Sequence, residues 1–210
     1  MSFSIQGKNA IVTGAANGVG LAIARHFLAQ GANVMFADRD DTALSELKVD
    51  GLGEDDDEGV KARIFSGDLR ERLTIANLLS ATIDAFDRVD ILVNACRQMV
   101  PSDPLDPDSD AIEMLLEQNM MTSLRLSQVV AKRMIRQAEE EESEARTIGT
   151  IVNLSSIAAR RTHPDLLGYS VSTAALDQMT RSLAVALAPH RIRINAVAFG
   201  SVLSASLKDA

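Results

Sequence analysis

The chain reads as an α/β protein with one doubly wound parallel sheet between two layers of helices, a three-layer αβα arrangement. Three observations predict this. Short apolar runs alternate with helix-length segments along most of the 210 residues. The apolar runs are hydrophobic on both sides, as strands covered on both faces are. The first run passes into a helix through a glycine-rich stretch, Thr13-Gly14-Ala15-Ala16-Asn17-Gly18-Val19-Gly20. Strict β-α alternation with right-handed crossovers makes the strands parallel and winds the sheet both ways from its centre.

The first strand is Asn9–Thr13, and a helix follows near 19–30. Glycines between them let the backbone bend and approach a ligand with no Cβ in the way. The helix behind points free N–H groups and its positive dipole end at an anion. Gly14, Asn17, Gly18, Val19 and Gly20 are therefore expected to seat the phosphates of a dinucleotide. The plainer reading is a glycine-rich helix start with no ligand, because Gly-x-x-x-Gly-x-Gly is not the commoner dinucleotide spacing.

The second strand, 33–37, leads into Asp38, 18 residues after Gly20. An acid there can accept from both ribose hydroxyls of an adenosine and repels a 2′-phosphate, which favours NAD over NADP. Arg39 follows and keeps NADP open. Alternatively, Asp38 caps the helix at 41–49. The third strand, Ala62–Ser66, leads into Gly67-Asp68-Leu69. Asp68, with Leu69 beside it, either meets the adenine amino group or caps the helix at 70–86.

The fourth strand, 90–94, ends at Asn94-Ala95-Cys96, on the edge where ligands of such sheets bind. Asn94 is either a ligand-side group or a turn residue. A long helix at 108–138 carries the apolar stripe Ile112, Leu115, Leu116, Met120, Leu126, Val130 and Met134, with Asn119 on it. An amide on a buried stripe needs partners, so Asn119 either holds a water or opens a kink. The fifth strand, 149–154, closes at Asn153-Leu154-Ser155-Ser156. Tyr169, the only tyrosine, lies thirteen residues on and begins a helix at 169–188. A hydroxyl at the strand end and a phenol on the next helix can meet over one carbonyl, Ser156 polarising it and Tyr169 passing the proton. The last strand is 193–198. The architecture is a Rossmann-type sheet, read as a single domain over 1–210.

Composition excludes other classes. Ten of the 29 acids lie in two runs, at 54–58 and 139–144, and elsewhere acids and bases nearly balance. The charge of −8 is thus local, and no basic stripe invites nucleic acid. The Asp run lacks the alternating ligands of a calcium loop. Cys96 alone allows no internal disulfide, and three scattered histidines make no metal pattern. No signal-peptide core and no membrane-length apolar run is present, so a cytoplasmic protein is expected. Fraying is expected near 139–147, where glutamates crowd a helix C-terminus.

Taken together, these motifs resemble the short-chain dehydrogenase/reductase family along nearly the whole chain. The resemblance rests on Thr13 to Gly20, Asp68, Asn94-Ala95, Asn119, Ile151 to Ser156, Tyr169 and Ile192 to Val197. It implies an NAD(P)-dependent oxidoreductase acting on a secondary alcohol or ketone. Ser156 and Tyr169 would be catalytic, Asn119 would hold a proton-relay water, and Val202 would meet the nicotinamide amide. It also implies a small-molecule substrate and a homo-oligomer.

Three departures stand out. The family's Lys four residues after the tyrosine is Thr173, which offers a hydroxyl to the nicotinamide ribose but no charge. An unassisted phenol ionises only near pH ~10, so weak activity at neutral pH is expected. Arg160 and Arg161, in the Ser–Tyr loop, are the cations near in sequence. Cys96 and Phe199 replace the glycine and proline expected there. The chain also stops at Ala210, where family members continue, so a C-terminal segment is expected to be missing. A non-catalytic dinucleotide-binding or assembly protein of the same fold is the alternative.

Overall fold

A computed structural model describes residues 4–48, 60–108 and 111–202. The acidic run at 54–58 lies outside the described residues. Six strands form one sheet: β1 Asn9–Thr13, β2 Asn33–Asp38, β3 Ala62–Ser66, β4 Ile91–Asn94, β5 Gly149–Ser156 and β6 Ile192–Phe199. Their order is β3-β2-β1-β4-β5-β6, all parallel. The order reverses between β1 and β4. Both strands run toward the same edge there, which opens a crevice at their carboxyl ends.

The helices are α1 Gly18–Ala29, α2 Asp41–Ser45, α3 Arg72–Phe86, α4 Ile112–Leu116, α5 Thr122–Glu140 and α6 Leu167–Leu187. Alternate residues of each strand feed two separate cores. Ile11, Met35, Leu92, Ile151 and Ile194 face one layer, packing with Leu78 of α3 and Leu126 and Met134 of α5. Val12, Phe36 and Val93 face the other, with Ala24 of α1 and Leu44 of α2. On that second side, α1 and α2 pack against β1, β2 and β3. Over β4–β6 the same face is an open apolar groove of ≈ 720 Å³, lined by Val93, Val152, Leu154, Val197 and Phe199.

Two elements differ from the sequence reading. The helix expected over 108–138 is three pieces, because Glu117–Met121 forms a π-turn between α4 and α5. This is the kink signalled by Asn119, at a type of helix break that recurs at functional sites. The connection after α5, where fraying was expected, is tied down. Arg88 pairs with Glu141 at 2.6 Å, and Arg191 donates to the Ser143 and Ala145 carbonyls at 2.9 Å each. No helix among the described residues is long and apolar enough to cross a membrane.

Candidate active site

The crevice is built on the ends of β1 and β4. Thr13 Oγ1 accepts from the Ala95 and Cys96 amides at 3.0 and 3.1 Å, which pins the two strand ends together. The chain then turns through Gly14, at φ +64°, directly beneath β4. A Cβ on Gly14 would lie 2.9 Å from Ala95 O. A Cβ on Gly20 would lie 2.0 Å from Gly14 O, so the loop can fold against α1 only with glycine there. Asn17 precedes α1 in extended conformation and makes no side-chain cap. The amides that begin the helix therefore face a cleft of ≈ 310 Å³ lined by Gly14, Asn17, Gly18, Asp38, Ala95 and Arg97.

The two expected adenosine-side acids behave differently. Asp38 Oδ2 accepts from Ala16 N at 3.0 Å, fastening β2 to the glycine loop, and Oδ1 accepts from Arg39 N at 2.7 Å. It does not cap α2; Asp40 does, accepting from Ala43 N at 2.9 Å. Asp68 accepts from Arg70 N at 3.0 Å and pairs with the Arg70 guanidinium. Those side-chain hydrogen bonds hold its carboxyl below the usual carboxylate range, against partial burial. Glu71, not Asp68, occupies the cap position of α3. Leu69 is buried in the core against α3.

Asn94 is 4% exposed and spends its amide internally. Nδ2 donates to Asn153 Oδ1 at 2.7 Å and Ser127 Oγ at 3.1 Å, and Asn153 donates on to Thr180 at 2.8 Å. This ladder joins β4, β5, α5 and α6 beneath the site, so Asn94 sets the positions of neighbours rather than reaching into the cleft.

Ser156 ends β5 and accepts from Ala158 N at 3.1 Å. Ala158 in turn packs with Tyr169 and Leu115. One short turn thus joins the serine to the surroundings of the phenol, and both residues are buried. Asn119 Oδ1 accepts from Gln98 N at 2.8 Å, while its Nδ2 donates to Gln98 O and Ser172 Oγ at 2.9 and 3.0 Å. The π-turn therefore clamps the segment after β4 to α6.

Thr173, expected to offer its hydroxyl to a ribose, turns that hydroxyl into its own helix. It is 1% exposed, and its hydroxyl donates to Tyr169 O at 2.9 Å, one turn back in its own helix. A threonine inside a helix has this bond available without leaving its rotamer. In this conformation it offers a cofactor no donor. Arg160 turns to Asp177, at 3.8 Å, and Arg161 is exposed.

The cation beside the phenol is one that sequence reading passed over. Arg97 Nη1 donates to Tyr169 Oη at 2.9 Å, and its guanidinium lies 4.2 Å from the centre of the Phe199 ring. The available signal was position: Arg97 directly follows Asn94-Ala95-Cys96, at the ligand edge of β4. Val202, expected near the nicotinamide, lines the apolar groove with Val19 and Phe199.

Cys96 lines the cleft, yet burial pushes its thiol up to about 11, the nearby Asp38 carboxylate adding to the effect. At pH 7 about one molecule in ten thousand is then a thiolate. Maleimide should label the folded protein at neutral pH far more slowly than the urea-unfolded chain, as mass spectrometry of timed samples would read. No group of side chains suited to a metal occurs among the described residues.

The sequence model described as short chain dehydrogenase matches residues 8–210. The chain belongs to the short chain dehydrogenase family. Membership carries the general class, an oxidoreductase, and relatives are named accordingly. Dehydrogenase/reductase SDR family member 4 of Sus scrofa is 30% identical over 203 residues, covering 94% of this chain and 67% of that protein. An uncharacterized oxidoreductase of Staphylococcus epidermidis is 26% identical over 94% of this chain and 79% of that protein. Among solved structures, a 7α-hydroxysteroid dehydrogenase complexed with NADH and 7-oxo glycochenodeoxycholic acid superposes with a TM-score of 0.84. It shares 28% identity, over 98% of this chain and 75% of that one. A 3-ketoacyl-(acyl-carrier-protein) reductase from Brucella melitensis complexed with NADH gives 0.82 at 25% identity, over 98% of this chain and 80% of that one.

Proposed function

We propose that this family member is an NAD(P)-dependent oxidoreductase interconverting a secondary alcohol and a ketone. The observation that carries the reading is the buried phenol of Tyr169, hydrogen-bonded to a cation, at the crevice edge that also holds Ser156 and the glycine loop. The residues present fit a dinucleotide. The cradle has no room for a Cβ at Gly14 or Gly20, helix amides face the cleft, and Asp38 is among the residues lining it. Gly14, Asn17, Gly18, Val19, Gly20 and Ala95 would hold the phosphates and backbone side of the cofactor. Asp38 would accept from ribose, and Asp68 with Leu69 would flank the adenine. The bound cofactor would supply hydride to the carbonyl carbon in its reduced form and would accept hydride from the alcohol carbon in its oxidised form.

The chain's own residues do the proton work. Ser156 orients the substrate oxygen by hydrogen bonding. Tyr169 Oη gives its proton to that oxygen in reduction and takes it back in oxidation. The water-relay role of Asn119 belongs to the same proposal, with its side chain held by Gln98 and Ser172. Two NADH complexes among the structural relatives favour NAD, as does the Asp38 carboxylate. We expect Asp38→Ala to lower the preference for NADH over NADPH by about tenfold or more, since removing the acid removes repulsion of the 2′-phosphate. Paired KM measurements with the two coenzymes check this. A cytoplasmic setting and a homo-oligomer are part of the proposal, supported by the lone cysteine and the family resemblance.

The buried, uncharged Thr173 supports one competing reading, a dinucleotide-binding protein without turnover. Incubation with NADH and a panel of ketones, following absorbance at 340 nm beside coenzyme binding, separates the two. Turnover of any ketone supports the oxidoreductase; binding without turnover across the panel supports the competitor.

A further inference from the structure

We infer that Arg97, reaching across from the end of β4, supplies to the Tyr169 phenol the positive charge that Thr173 does not. The inference deepens the proposed function, because it concerns how the same proton-transferring phenol is made ready. Three observations carry it. The Arg97 Nη1–Tyr169 Oη distance of 2.9 Å has the guanidinium donating to the oxygen that must lose its proton. The same nitrogen lies 3.4 Å from Ser155 O, and the guanidinium lies against the Phe199 ring, so both β5 and β6 help to hold the head group. Thr173, at the position four residues after the tyrosine, is buried with its hydroxyl spent on the helix backbone.

A guanidinium stays protonated through the whole working range, so a positively charged donor faces Tyr169 Oη at every pH. The apolar residues clustered with Tyr169 include Leu115 and Met114 from α4, Val100 and Leu166 from the loops, and Ala158 after β5. The charged groups on those elements are engaged or wet. Glu113 and Arg161 are exposed, Arg160 faces Asp177, and His163 pairs with Asp165 at 3.6 Å in solvent. Arg97 is therefore the cation in direct contact with Tyr169. It acts through Tyr169 and is a positioning residue, with phenol and guanidinium replacing the one-helix geometry by a contact between β4 and α6.

The composition supplies a clean test. The chain has one tyrosine and no tryptophan, so tyrosinate absorbance at 295 nm reports Tyr169 alone. The cofactor-free protein is titrated from pH 7 upward, with circular dichroism at each point to mark the folded range. In Arg97→Gln the absorbance should rise at a higher pH than in the native protein, since a neighbouring positive charge is lost. Arg97→Lys, which keeps the charge, should recover most of that displacement. At fixed pH 7, the single tyrosine Cζ carbon resonance should move in Arg97→Gln and much less in Arg97→Lys. Since Arg97 lies at the surface, neither substitution opens the core. Turnover at pH 7 should fall about tenfold in Arg97→Gln. Titration curves and Cζ resonances that superimpose for the native protein and Arg97→Gln would overturn the inference even if the enzyme reduces ketones. An enzyme that shows the displacement yet turns over nothing would sink the function and leave the pair standing.

Discussion

Tyr169→Phe should lose turnover by about 10²- to 10⁴-fold, the range that a positioned general acid or base contributes. Coenzyme affinity should stay within about a factor of three, because the ring is retained and one hydroxyl is lost. The substitution is mild structurally. Tyr169 packs by its ring against Leu115 and Ala158, and the phenol oxygen's recorded partner is Arg97, at the surface end of the cluster. A fall in kcat with unchanged coenzyme binding assigns the proton step to this oxygen. A decrease smaller than about tenfold would move the proton transfer to another group, with Ser156 the next to be replaced.

Gly20→Ala should abolish coenzyme binding and lower stability together. An added methyl would sit 2.0 Å from Gly14 O and 2.7 Å from Gly14 C. Both are backbone atoms of the glycine loop, which is itself pressed against Ala95, so no flexible side chain can yield. Either α1 moves away from β1 or the loop changes shape, and each displaces the amides that face the cleft. Strain of this kind costs about 1–3 kcal/mol in a packed region, and coenzyme affinity should fall about 100-fold or more. Gly200→Ala is the comparison, since its methyl would meet Ile157 Cδ1 at an ordinary 3.5 Å. It should melt with the native protein, while Gly20→Ala melts lower. Thermal unfolding followed by circular dichroism, paired with a coenzyme titration, reads both effects.

The sheet was legible from sequence because parallel strands buried on both faces are continuous apolar runs, and helices of ordinary length separate them. Each of the six lies within two residues of its expected bounds. The broken long helix was half legible. Asn119 on an apolar stripe signalled a local departure, but only the fold shows that its amide is taken by Gln98 and Ser172. The alternative readings of Asp38 and Asp68 as helix caps miss by a few residues, the caps being Asp40 and Glu71, because a cap depends on where each helix first turns, and that is set by packing. The largest omission was Arg97. Its role needs β4 and α6 to meet at the crevice, a contact between residues 72 apart in sequence. Thr173 was legible as a missing charge, yet its inward-turned hydroxyl depends on burial that spacing alone does not reveal.

Every role described for the cleft requires a nicotinamide coenzyme to rest against the amides of residues 14–20. Isothermal calorimetry of the purified protein with NADH, repeated with NADPH, tests that step without a known substrate. A saturable, one-site isotherm for NADH, with Kd in the range of about 1 μM to 1 mM typical of enzyme ligands, is the expected outcome. It should be lost in Gly20→Ala. Absence of saturable heat with both coenzymes, in protein whose circular dichroism shows it folded, would remove the basis for the oxidoreductase reading of this site.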